Sequence, residues 1–118
     1  MGGTMSIQYS TGSLTTASGT ELVFDHIEDS GPMWTEKGER WAEKTIRFEA
    51  PFDKAPQVLL SVEMIDADHS TNLRLQLRPE DVRRGSFKAV AYTWSDTRIG
   101  RLSISWMAIG RTGSEWDV

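Results

Sequence analysis

The 118-residue chain contains no cysteine, so neither a disulfide framework nor a thiolate metal site is available and packing alone must hold the fold. Histidine is scarce: only His26 and His69 offer near-neutral general bases. Excess positive charge is missing too. Thirteen Lys and Arg against seventeen Asp and Glu leave a formal charge of −4, which argues against a sequence-independent grip on nucleic acid. No apolar run approaches the ~20 residues that span a bilayer, and no basic-then-apolar leader is seen, so a soluble chain without membrane insertion is expected. The opening MGGTMS fits a myristoylation pattern from Gly2 to Ser6, but no polybasic segment follows as a second membrane signal, and lipidation is not expected. The signatures GxSxG, HExxH and a Gly-rich phosphate loop are all absent, so none of the enzyme classes they mark is indicated.

What is present is the composition of an ordinary globular domain, with 38% hydrophobic and 25% charged residues, at a length that suits one domain with a real core. Residues 1–20 are rich in Gly, Ser and Thr and read as a flexible arm or short edge strand. The remainder, 21–118, reads as one β domain. Its first part, through Lys44, is punctuated by Ser30-Gly31-Pro32 and Gly38 and suggests a long surface loop.

From Thr45 the hydrophobic period becomes two. Ile46, Phe48 and Ala50 alternate with polar residues, and Val58, Leu60, Val62 and Met64 oppose Gln57, Leu59, Ser61 and Glu63. Leu73, Leu75 and Leu77 alternate with Asn72, Arg74, Gln76 and Arg78 up to Pro79, which sends Arg74 away from the leucine face. Phe87–Thr93 and the alternation Leu102, Ile104, Trp106, Ala108 complete a set of short strands separated by Gly and Pro, the pattern of an antiparallel β-sandwich.

Four groups of residues invite chemistry. Asp66, Asp68 and His69 offer oxygen and imidazole ligands, but a solvated polar turn is the commoner meaning of such a cluster. Asp25, Glu28 and Asp29 beside His26 lack the evident burial that a glycosidase acid pair needs. In YTWSDTR, Trp94 belongs either to the core or to an outward platform with Tyr92, depending on whether Phe87, Ala89 and Ala91 face inward. Arg74 carries a planar fork suited to sugar hydroxyls or carboxylates, and pairing with Asp96 on the sheet surface is its alternative use. Leu59 and Met107, apolar on otherwise polar faces, are candidates for an interface between copies.

Lys44 to Gly110 contains, in order, FEAPF, PQVLLS, NLR, GSFKA, YTW and SISW, and this ordered set closely resembles the H-type lectin domain. The resemblance implies an all-β fold, a six-stranded antiparallel β-sandwich, that assembles as a homotrimer. It implies binding of galactose or N-acetylgalactosamine on glycans in clefts between protomers, without catalysis or a cofactor. Arg74 resembles the family's sugar-bonding arginine and Trp94 its site tryptophan. Ser95 stands where an animal member has a sugar-flanking histidine, and Gly100 falls where that member has a cleft tyrosine. Gly38 and Glu39 take the place of an acidic loop contact, while Ala91 replaces one cysteine of a disulfide. The missing aromatic at Gly100 implies a more open site whose sugar differs from the usual one. The segments GPMWTEKGERW and DTRI are similar to bacterial and phage-associated members, which implies an extracellular, cell-surface or particle-associated setting and, as the alternative to a lectin, an attachment module of a larger assembly.

Overall fold

The computed structural model describes residues 5–113. The MGGT start, with its lipidation pattern, lies outside them. Among the described residues the chain forms seven strands and two single-turn helices: β1 (Met5–Thr11), β2 (Leu14–Asp25), α1 (His26–Asp29), α2 (Pro32–Thr35), β3 (Arg40–Arg47), β4 (Gln57–Ala67), β5 (Gln76–Glu80), β6 (Ser86–Thr93) and β7 (Ile99–Arg111). All pairings are antiparallel, in a four-stranded sheet ordered β1-β2-β7-β4 and a three-stranded sheet ordered β3-β6-β5. The all-β antiparallel sandwich anticipated from the alternation is the observed fold.

The core lies between the sheets. Leu102, Ile104 and Ala108 of β7 are fully buried, as are Phe87 and Ala91 of β6. The small alanines let the sheets approach, and large rings fill the far end: Phe48 packs within 5.0–5.8 Å, centroid to centroid, of Phe52, Phe87 and Trp106. Phe52 is buried although it sits in the loop before β4, held there by its amide, which donates to the Arg84 carbonyl at 2.9 Å.

Three segments differ from the sequence pattern, each for a local reason. Residues 14–20 are part of a strand paired on both sides, because the Gly12-Ser13 turn, with Gly12 at φ 58°, folds β1 back onto β2 while Thr15 and Ala17 enter the core. The segment 21–44 is not one long loop. Asp25 Oδ1 caps α1 by accepting from the Glu28 amide at 3.0 Å, His26 Nδ1 accepts from the Met33 amide at 3.1 Å, and Met33 is fully buried. The leucine run pairs only from Gln76, since the carbonyls of Asn72 and Arg74 accept from the hydroxyls of Thr97 and Thr93 instead of from a neighbouring strand. It continues through Pro79, which the edge position of β5 tolerates.

Val62 is 44% exposed although its partner Ile104 on β7 is buried, and beyond it Met64 does not take the core position that the alternation gave it. The register with β7 shifts between Val62 and Met64, and one inserted residue exchanges the faces of everything beyond it, so that Ile65 and Ala67 pack on the core.

Candidate functional site

The orientation of β6 decides which way YTW faces. Phe87, Ala89 and Ala91 are inward, so Tyr92 lies on the outer face of the three-stranded sheet, and Trp94, just past the strand, is 38% exposed. Trp94 is therefore a surface platform.

Arg74 comes to the same place from the chain before β5. Its Nη1 donates to Asp96 Oδ1 at 2.8 Å and to Thr97 Oγ1 at 3.1 Å, so the surface pairing with Asp96 is realised. That bond holds the Asp96 carboxyl below its ordinary pKa. Two hydroxyls also pin the ends of the Trp94–Thr97 turn, since Thr93 donates to the carbonyl of Arg74 and Thr97 to that of Asn72. Ser95 at the tip of the turn has φ 62°, a left-handed conformation uncommon for a residue with a side chain.

The Ser95 carbonyl is held by a group that sequence reasoning missed. Arg40 is 4% exposed and has no carboxylate partner in its hydrogen bonds. Its Nη2 donates to Ser95 O at 3.1 Å, Nε to Gly38 O at 2.7 Å, and Nη1 to the carbonyls of Glu36, Pro32 and Met33 at 2.6, 3.3 and 3.3 Å. Burial lowers its pKa, opposed by Glu36. The Gly38 amide adds a 2.8 Å bond to the same Ser95 oxygen, with Gly38 at φ 88°. Gly38 and Ser95 are thus locked together by one buried guanidinium. A buried arginine bonded to carbonyls of two loops leaves no periodic trace in a sequence.

Glu39 completes the group. Its Oε1 accepts from the Tyr92 hydroxyl, and that bond, the largest influence on the phenol, raises its pKa. A shallow depression is lined by Glu39, Leu75, Gln76, Tyr92 and Trp94. Beside it stands Trp41 of β3, 55% exposed and 5.4 Å from the Tyr92 ring, a residue not anticipated from the sequence. Chemically, the surface offers aromatic faces for C–H groups and a carboxylate, an amide and guanidinium groups for hydroxyls.

Gly100 is not brought to this group. It is buried on β7, and a side-chain carbon there would stand 2.4 Å from Ile27 Cδ1. The more open cleft expected from Gly100 is therefore not found, because Ile27 of α1 fills that space. The other candidate clusters are structural. Asp66 accepts from Arg101 at 2.6 Å, and Asp68 accepts from Ser70 and Arg98, which holds its pKa low, chiefly through the Ser70 amide. No grouping of metal-ligating side chains occurs among the described residues. Asp25 is the α1 cap, and His26 is engaged with Met33.

A second surface stands out on the far sheet. Ile7, Ser18, Met107 and Leu59 are successive cross-strand partners and form one row across all four strands. Ile7, Leu59 and Met107 are 44%, 55% and 41% exposed. The flanking partners Thr16, Ile109 and Gln57 on one side and Thr20, Ser105 and Ser61 on the other carry no charge.

The sequence profile of the H-type lectin domain matches residues 43–109. The protein called ATP synthase subunits region ORF 7 from Fuscovulum blasticum is 36% identical over 102 residues, covering 85% of this chain and 89% of that one. A discoidin-1 chain of Dictyostelium discoideum is 27% identical over 81 residues, and the matched region spans 68% of this chain but 32% of that one. Recombinant discoidin II of the same organism superposes with a TM-score of 0.74 at 16% identity, over 89% of this chain and 41% of that one. An N-truncated R1-type pyocin tail fiber superposes with a TM-score of 0.50 at 13% identity, over 90% and 85%.

Proposed function

Because the chain belongs to the H-type lectin domain family, we propose that it is a carbohydrate-binding module that takes galactose or N-acetylgalactosamine-type sugars of surface glycans, with three sites on a homotrimer. The observation that carries this reading is the surface depression lined by Trp94 and Glu39, with Gly38 and Ser95 bonded to each other next to them in the chain and Arg74 paired to Asp96 of the same turn. Trp94 covers the C–H face of the sugar. Arg74 and Glu39 bond hydroxyls, with Ser95 at the rim, and hydrogen bonds to charged groups contribute about 1.5–3 kcal/mol each. No step of bond making or breaking is assigned, in keeping with the non-enzymatic character of the domain family.

A shallow site of this kind holds one sugar at roughly 1 mM, about −4 kcal/mol. Three copies facing a repeated glycan raise that by about 10² to 10⁴, which gives the trimer its purpose. The uncharged row through Ile7, Met107 and Leu59 is the surface proposed to meet the neighbouring protomers. An extracellular, cell-surface or particle-associated setting follows from glycan binding.

The second reading is an attachment module of a larger assembly with a modified sugar site. It is favoured by the likeness in fold to the R1-type pyocin tail fiber. A glycan array together with light scattering separates the two. Glycan binding lost in Trp94→Ala and Arg74→Ala, with the oligomer kept, supports the lectin. A trimer that ignores every glycan supports the assembly module.

A further inference from the structure

The outer face of the three-stranded sheet carries more aromatic surface than one sugar uses. Trp41, Tyr92 and Gln76 are direct cross-strand partners, one from each of β3, β6 and β5, and so form a row across the whole sheet. Tyr92 stands between two indoles. Its ring is 5.4 Å from Trp41, its partner across the sheet on β3, and 5.4 Å from Trp94, two residues further along the chain, with interplanar angles of 40° and 23°. The tyrosine is half-buried and both tryptophans are exposed, Trp41 more so than Trp94.

Two indoles left facing water beside one another are costly to a free surface, since each is a large apolar area unburied. The core gives no reason for Trp41 to be there, because its side chain lies on the face opposite the buried Ala42 side. Polar groups of both signs line the strip. Glu39 is oriented by the Tyr92 hydroxyl, Gln76 is exposed at the row's end, and the Arg78 guanidinium lies 6.0 Å from the Tyr92 centroid. Tyr92 therefore keeps its carboxylate partner fixed and spaces the two indoles.

We infer that the site takes an oligosaccharide, with Trp94 and Trp41 as two separate stacking platforms for different residues of one chain and Gln76, which lines the depression with Trp94, as a hydroxyl partner of the first. This rests on the carbohydrate-binding reading above and adds the length of the ligand to it. Each indole lies 5.4 Å from the Tyr92 ring, about the length of one pyranose, so a sugar chain that passes over Tyr92 reaches both. A single sugar at Trp94 leaves Trp41 uncovered.

The test is titration calorimetry of the intact protein with galactose, β-1,4-galactobiose and β-1,4-galactotriose, repeated with Trp41→Ala, Trp41→Phe and Trp94→Ala after circular dichroism confirms that each folds. The expected result is affinity for the triose about tenfold above that for galactose, the effect of one added aromatic contact. Trp41→Ala removes that gain while leaving galactose affinity unchanged, Trp41→Phe keeps part of it, and Trp94→Ala abolishes binding of all three. Equal affinity for galactose and galactotriose, or a gain that survives in Trp41→Ala, overturns the second platform and leaves the lectin reading standing. Failure of the folded wild type to bind any of the three sugars counts against the galactose-type reading itself and removes the inference with it.

Discussion

The guanidinium of Arg40 donates to the carbonyl oxygen of Ser95 at 3.1 Å across 55 residues of sequence. It is the same buried group that ties down Gly38, so the two loops that frame the depression share one anchor. Replacing Arg40 with Met keeps most of the volume but leaves several carbonyls without their donor. Chemical denaturation is expected to show a loss of about 3 kcal/mol, the scale for breaking a buried charged hydrogen-bond set. Arg40→Lys, which lacks the planar fork, recovers only part of it.

His26 gives a pH dependence with a definite sign. Burial lowers its pKa, more than Asp29 and Asp25 raise it, and its neutral Nδ1 accepts from the Met33 amide. In the unfolded chain the ring protonates near pH 6.5, before it does so in the folded protein. Its contribution to stability is therefore fully present above about pH 6.5 and lost as the pH falls below that value toward the lowered folded pKa. Denaturation midpoints measured from pH 8 to 5 should decline over this window in the wild type. The decline should be smaller in His26→Asn, whose amide oxygen accepts the same bond without titrating.

The space above Gly100 belongs to Ile27. Gly100→Ala forces that side chain to move, and because Ile27 is 44% exposed and its far end is free to swing, the expected cost is only about 1 kcal/mol. Ile27→Ala should suppress it. A double-mutant cycle by thermal denaturation reads the coupling directly, and additivity of the two substitutions would contradict the contact.

Leu59 and Met107 face one another on the uncharged side of the four-stranded sheet. If that surface meets neighbouring protomers, Met107→Glu places a charge inside an apolar contact. The mass from light scattering should then fall from three times the chain mass to 13.3 kDa, while circular dichroism keeps its β signature. An unchanged mass would move the interface elsewhere.

The strands with clean alternation were legible because burial on one face leaves a period of two, as in Leu102, Ile104, Trp106 and Ala108. The face of Met64 was not, since a bulge after Val62 shifts the pattern without marking the sequence. The strand through Thr15 and Ala17 was hidden by its composition. There Thr15 Oγ1 lies 2.7 Å from Ser10 Oγ and 2.5 Å from Thr112 Oγ1, so hydroxyls pair across strands where apolar side chains would advertise the core. Of the site, Arg74 and Trp94 were visible through residue type and resemblance. Arg40 and Trp41 were invisible because the first looks like a surface charge and the second acquires its meaning only when β3 pairs with β6.

The proposed role of Trp94 as the platform for sugar is the central claim, and its indole N–H gives a direct reporter. The chain has five tryptophans, and their indole resonances can be followed by NMR as galactose or an array-selected glycan is added, with Trp94→Phe and Trp106→Phe supplying assignments. The Trp94 resonance is expected to move with saturation and to disappear from the titration in Trp94→Phe, while that of Trp106, 3% exposed in the core, stays still. A glycan that saturates the protein without moving the Trp94 resonance would contradict that role.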